Sequence, residues 1–192
     1  DEFNSQAMAN TVWAFATASV AAPKLFDAIA GEALSRLRDF NSQGLTNTIW
    51  AFACIGWVHS QIFLETGSAL AEYFDNLDET DKSQLYQVAL HLQTKWPEHE
   101  FPLSVHLDSL RSAYTRLDAK PSQLQRDVSA MFEQIGWSHT FEHETAEGFS
   151  LDLADPDAKC AIEVDGPWHY LQDATTGEYV VNGATRFKSR LL

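Results

Sequence analysis

The chain has 192 residues, 45% of them hydrophobic, with twelve Phe and six Trp, so it can bury one large core or two small ones. Its formal charge of −14 argues against a free-standing nucleic-acid binder, because phosphate contacts draw on Lys and Arg. No apolar run approaches the roughly 18 residues a membrane span needs, and a soluble chain is expected.

The charge is uneven. Residues 1–80 carry ten acids against three bases, whereas 179–192 carry Arg186, Lys188 and Arg190 with no acid. Any nucleic-acid contact is therefore expected at a local site. The chain starts at Asp1 and stops in mid-pattern at Leu192, which reads as a fragment or mature piece with any targeting segment upstream. Cys54 and Cys160 sit in apolar surroundings, far apart and outside metal-ligand spacing, and are expected to be buried, reduced thiols.

The first half repeats itself. Phe3-Asn4-Ser5-Gln6 recurs as Phe40-Asn41-Ser42-Gln43, and Asn10–Ala16 (NTVWAFA) as Asn47–Ala53 (NTIWAFA). Phe26 recurs as Phe63, and every offset is 37, a period that signals stacked helical pairs. Asn4 and Asn41 are suited to cap a first helix, with Phe40 stapling onto Leu45. Leu45, Ile49, Phe52 and Ala53 then keep helical spacing on one face. A second helix is expected from Pro23 to about Arg38, with its counterpart from near Ser60. A degenerate third unit spans Asp81–Leu117, its first helix ending at Lys95-Trp96-Pro97 and its second carrying Leu107, Leu110, Tyr114 and Leu117.

Polar residues at matched positions, Ser5/Ser42, Gln6/Gln43 and Asn10/Asn47, are placed to line a concave face. Helical repeats of several families read RNA bases with such side chains, and Asn10 and Asn47 are the candidate readers. Caps and inter-repeat hydrogen bonds are the competing account of these polar groups, and for Asn4 and Asn41 the stronger one. Two or three units are few for sequence selectivity, so further repeats are expected in the full protein.

From Pro121 the pattern changes. Ser122–Ile135 is amphipathic, and Gly136 suits its C-terminal end. Short strands are expected at Trp137–Glu142, Phe149–Leu153 and Cys160–Val164, then a polar loop containing Gly177 and a basic helix from about Gly183. That order makes a compact α/β unit, with Asp152, Glu163 and Asp165 converging at one sheet edge if the strands are hairpin neighbours.

The segment GFSLDLADPDAKCAIEVDGPWHY, followed by VNGATRFKSRLL, resembles the RAP domain, the RNA-binding domain abundant in apicomplexans. The matching features are Leu151-Asp152-Leu153, Ile162–Pro167, His169, Asn182–Thr185 and the basic Arg186–Arg190. The upstream period looks like the heptatricopeptide or octotricopeptide-like repeats that often precede that domain. The expected fold is therefore α+β: an α-solenoid over residues 1–119, then a small restriction-endonuclease-like domain over 120–192. The usual family domain continues into a further strand and an aromatic-rich end, which this chain lacks, so either the fragment is truncated or its edge is frayed.

The resemblance implies a mitochondrial or plastid protein of RNA processing, stability or translation, with organellar mRNA or rRNA as partner. It also implies a fold similar to very-short-patch-repair-type endonucleases. On that footing Asp152 and Glu163 are candidate Mg²⁺ ligands, and Asp165, His169 and Lys188 candidate catalytic groups beside them. Trp168, Arg186, Lys188 and Arg190 are candidate RNA contacts. Restriction-type sites carry Lys two residues after the Glu, where this chain has Asp165, so Lys188 would have to substitute from the helix. A structural account stands beside it, in which Asp165 caps the Gly166-Pro167 turn, His169 packs under Trp168 and Asp152 pairs with Arg186.

Three functions stay open: a non-catalytic RNA binder on a degenerate nuclease fold, a Mg²⁺-dependent endoribonuclease, and a structural subunit of an organellar ribosome or other large assembly, docking its proteins or bridging rRNA through the basic end. The other histidines, His59, His91, His99, His106, His139 and His143, show no spacing that closes a zinc site. His139 and His143 are expected on one face of a strand.

Overall fold

A computed structural model describes residues 3–57, 60–117 and 121–192. His59, and separately Lys120 at the expected domain boundary, lie outside the described residues. Among these the molecule is mixed α+β, with eight α-helices, a three-stranded antiparallel sheet and a two-stranded hairpin.

The helices follow the 37-residue period. Helices α1 (Ser5–Thr17) and α3 (Ser42–Cys54) are each capped by an Asn whose side chain accepts a backbone N–H from the third helical position, at 2.8 Å. Asp78 does the same for α5 (Glu79–Lys95), so the three caps Asn4, Asn41 and Asp78 stand 37 residues apart. Helix α2 (Pro23–Ser35) opens on a proline that needs no N–H partner there, and α4 (Ser60–Ala71) occupies the matching place. Short 3₁₀ turns at Leu37–Asp39 and Phe74–Asn76 close both units. Helix α2 therefore ends three residues before Arg38, where the chain tightens to enter the next repeat.

First helices pack on first helices, α1 on α3 and α3 on α5, while α2 meets α4. Trp50 donates its indole N–H to Gln87, 37 residues on, at 2.8 Å. The core between them holds Met8, Val12, Phe26, Ile49, Phe52, Phe63, Leu70 and Leu85. The third unit departs after Lys95: a loop and a 3₁₀ turn precede α6 (Leu107–Arg116), which packs on α5. Gly67 admits this loop, since a Cβ there would stand 2.6 Å from the Phe101 ring.

Helix α7 (Gln123–Gln134) begins with a capping box between Ser122 and Gln125 and ends before Gly136, whose φ of 82° needs glycine. The sheet follows, β1 (Thr140–Glu144), β2 (Ser150–Asp155) and β3 (Cys160–Ile162), in that spatial order. Strand β1 starts later than the alternation predicts, because Trp137 packs on Phe132 of α7 and the His139 ring bonds Ser129 of the same helix. His139 therefore precedes β1 and does not share a strand face with His143. Cys54 is buried as expected, but Cys160 lies exposed on β3, an outer strand with water on one side.

The expected polar loop is instead a hairpin, β4 (Tyr170–Gln172) with β5 (Tyr179–Val181). Asp173 accepts the N–H groups of Thr175 and Thr176 and so folds the turn that Gly177 completes with positive φ. Asn182 then caps α8 (Gly183–Leu191). This helix joins the two halves: Phe187 is fully buried in the helical core, 6.1 Å from Trp50 and 5.8 Å from His91 between ring centroids. Burying a Phe of this size contributes about 2 kcal/mol. Gly183 lies so close to α1 that a Cβ would stand 1.8 Å from the Ala16 carbonyl oxygen.

Candidate functional site

Antiparallel pairing sets Leu153 of β2 opposite Ile162 of β3, so the next positions, Asp152 and Glu163, emerge side by side where β3 ends. A cleft of about 340 Å³ opens there. It is lined by Asp152, Glu163, Asp165, Trp168, His169 and Lys188, so the expected carboxylates do gather beside the basic helix.

Each acid has a defined partner. Asp152 is 9% exposed and both its oxygens are engaged: Oδ1 accepts from Gln125 Nε2 and Oδ2 from the Val164 N–H, each at 2.6 Å. It thus ties α7 and the end of β3 to β2, and Arg186, expected as its alternative partner, is not involved. Gln125 serves twice, accepting the Ser122 N–H in the capping box and donating to Asp152. Glu163 meets Lys188 Nζ at 2.7 Å, and the same ammonium donates to the Ser150 carbonyl at 3.0 Å. Lys188 of α8 thus reaches Glu163 across the cleft, and Asp165 stands two residues along the chain from that glutamate.

Asp165 lies 3.1 Å from His169 Nδ1, and Thr185 Oγ1 lies 2.9 Å from that nitrogen. An ionised carboxylate only accepts, so Nδ1 carries the proton and Nε2 is left as the basic nitrogen. Half of this ring is open to solvent, not packed beneath Trp168, whose own side is 91% exposed. Glu142, opposite Asp152 in the β1–β2 register, has a left-handed φ of 53°. Its Oε2 accepts from Ser150 Oγ, and its inaccessible Oε1 has no partner.

These residues do not present a magnesium ligand set. Mg²⁺ takes oxygen donors in near-octahedral array, but both Asp152 oxygens are taken by protein donors and Glu163 faces an ammonium. Among the described residues no group of three or more His, Cys, Asp or Glu is placed to hold a metal.

The remaining basic candidates divide. Arg186 is exposed and has no ion-pair partner among the described residues. Arg190 turns away from the cleft: it donates to the Ala53 carbonyl at the end of α3 and lies over the Phe187 ring. There it adds a second, charged donor to a carbonyl that already accepts the Gly56 N–H at the C-terminus of α3.

A second recess, about 320 Å³, runs across the starts of α1 and α3. Gln6, Asn10, Gln43 and Asn47 line it together with the caps Asn4 and Asn41. The caps are spent on their helices, and Ser5 donates to the Asp39 carbonyl. The side chains of Asn10 and Asn47 make no hydrogen bond within the described residues. The period made this groove legible. Gln125, Thr185 and Glu142 were missed, since they join the cleft only through the tertiary fold, although Gln125 stands at the capping-box position that Ser122 marks.

Compared with known proteins, the chain matches no family model, and no curated protein matches it. No helix among the described residues is long and apolar enough to cross a membrane.

Proposed function

We propose that this chain is an RNA-binding protein of organellar RNA metabolism, an α-solenoid joined to a non-catalytic domain of restriction-endonuclease type. One observation carries the proposal: the repeat brings two matched amide pairs, Gln6/Gln43 and Asn10/Asn47, into one groove, and leaves Asn10 and Asn47 with donors and acceptors free. Amides of this kind pair with the edges of unstacked bases. The resemblance of residues 121–192 to the RAP domain supports the organellar setting.

An acidic chain still accepts RNA where bases rather than phosphates supply the contacts, and exposed Arg186 offers local positive charge. The engaged Asp152 and Glu163 support binding over cleavage. The test is retention of a random-sequence single-stranded RNA pool by the purified chain. Asn10→Ala with Asn47→Ala is expected to weaken it about fivefold or more, and no retention by the unmodified chain would overturn the proposal.

A second reading, a subunit of an organellar ribosome or other assembly, is favoured by α7. Leu124, Met131 and Ile135 repeat along one side of that helix and are 48%, 65% and 76% exposed. Stoichiometric co-purification with a large particle is the expected outcome under that reading.

A further inference from the structure

The groove and the cleft are joined by a chain of contacts. Asn47 lines the groove, and Trp50, one turn further along α3, lies buried beneath the same helix face. Trp50 donates to Gln87 Oε1 on α5. Gln87 in turn lines a recess of about 240 Å³ whose other walls are Glu163, Asp165, His169, Thr185 and Lys188. Glu163, Asp165, His169 and Lys188 also line the cleft that Trp168 borders.

The period sets how these places are arranged. Helices α1, α3 and α5 present equivalent faces: Gln6, Gln43 and Thr80; then Asn10, Asn47 and Gln84; then Trp13, Trp50 and Gln87. Toward the helix starts this face is open and amide-lined. Toward the helix ends α8 covers it, through Gly183 against Ala16, Phe187 against Trp50 and Arg190 on Ala53. The second half of the molecule is thereby held on the face that carries the amides, at a fixed distance from them.

We propose that the groove, the Gln87 recess and the cleft are successive stations of one track for a single RNA strand, with bases held at Asn10 and Asn47 and a further base stacked on Trp168. The inference rests on the RNA-binding reading and adds that both halves grip the same strand. Neighbouring helices lie about 8–10 Å apart, so α1 and α5 are separated by about 16–20 Å, more than a very short oligonucleotide covers once the cleft is added. An indole 91% exposed beside the cleft has a free face for stacking, a contact tolerant of base identity. Lys188 and His169 line both the recess and the cleft, each facing a carboxylate, so stacking rather than phosphate pairing would hold the strand there.

The experiment measures binding of random-sequence RNA pools three and twelve nucleotides long to the unmodified chain and to Asn10→Ala and Trp168→Ala. Both side chains are exposed, so neither variant threatens folding. One track predicts that the twelve-mers bind at least tenfold more tightly than the three-mers. It also predicts that each variant weakens the twelve-mers about fivefold or more. Equal affinity for both lengths, or a variant that leaves the twelve-mers unaffected, overturns the single track while leaving RNA binding by one half intact. Failure of both pools to bind overturns the RNA reading and this inference with it.

Discussion

Asp152 carries a different role at the residue scale from the one its neighbours in sequence suggest. A carboxylate near the end of a strand, followed by Glu163 and Asp165, reads as a metal ligand; in the fold it is a bracket for Gln125 and the Val164 N–H. Removing it deprives two half-buried donors of a charged acceptor, at about 1–2 kcal/mol for each lost hydrogen bond, since water reaches them from the cleft. Asp152→Ala is therefore expected to lower unfolding free energy by about 2–4 kcal/mol in urea titration, and Asp152→Asn by less, since its carbonyl oxygen still accepts. Trp168→Ala, at an exposed position, is expected to change stability by under about 0.5 kcal/mol. If Asp152→Ala were as stable as the unmodified chain, the bracket account would be wrong. Gly183 offers a sharper case, because Gly183→Ala drives a methyl into the Ala16 carbonyl and nothing flexible can yield. Backbone displacement of this kind costs about 1–3 kcal/mol or more, and a lowered melting temperature in calorimetry is the measurement.

Elements were legible to the extent that they rest on local chemistry. The Asn4 and Asn41 caps, Pro23 at a helix start and Gly136 at a helix end act within one turn, and the sequence displays them directly. Asn41→Ala is accordingly expected to cost about 1 kcal/mol of stability, and Asp78→Ala, its equivalent one unit on, a comparable amount; urea midpoints compare them. Unequal costs would show that α5 is held by packing more than by its cap. The third unit looked degenerate from Asp81 because the apolar pattern had drifted, while the cap three residues earlier had kept the period. Hairpin β4–β5 was misread for a different reason. Six polar or small residues, Asp173–Glu178, separate its strands, and the Asx turn that closes them depends on Asp173 meeting two N–H groups, which composition does not display. Of the candidate site, the acids and Lys188 were legible, but not which of them pair: that is decided by the strand register and by where α8 docks.

Across the whole molecule, the seam between the two halves contains a buried titratable group. His91 of α5 is 3% exposed and stands between the Phe63 and Phe187 rings, at 6.4 and 5.8 Å. Burial, with Arg190 and Lys95 nearby, lowers its pKa from 6.5 to about 4. Above pH 6.5 the ring is neutral in both folded and unfolded chains and costs nothing. Between pH 6.5 and 4 the unfolded chain takes up a proton that the folded chain refuses, so stability falls as the pH drops through that window. The loss reaches about 3 kcal/mol at 1.36 kcal/mol per pKa unit. Carboxylates titrate at the lower end of the same range, so the contribution is isolated by comparing the unmodified chain with His91→Phe. Urea unfolding at pH 7 and pH 4.5 is expected to show a smaller acid loss for the variant, and parallel losses would remove His91 from the account. Because Arg190 of α8 is one of the two cations beside this imidazole, protonation also sets like charges against each other across the contact that holds α8 on the helices. Acid should therefore loosen the two halves from each other at the seam, which hydrogen exchange at α8 would register before exchange at α3.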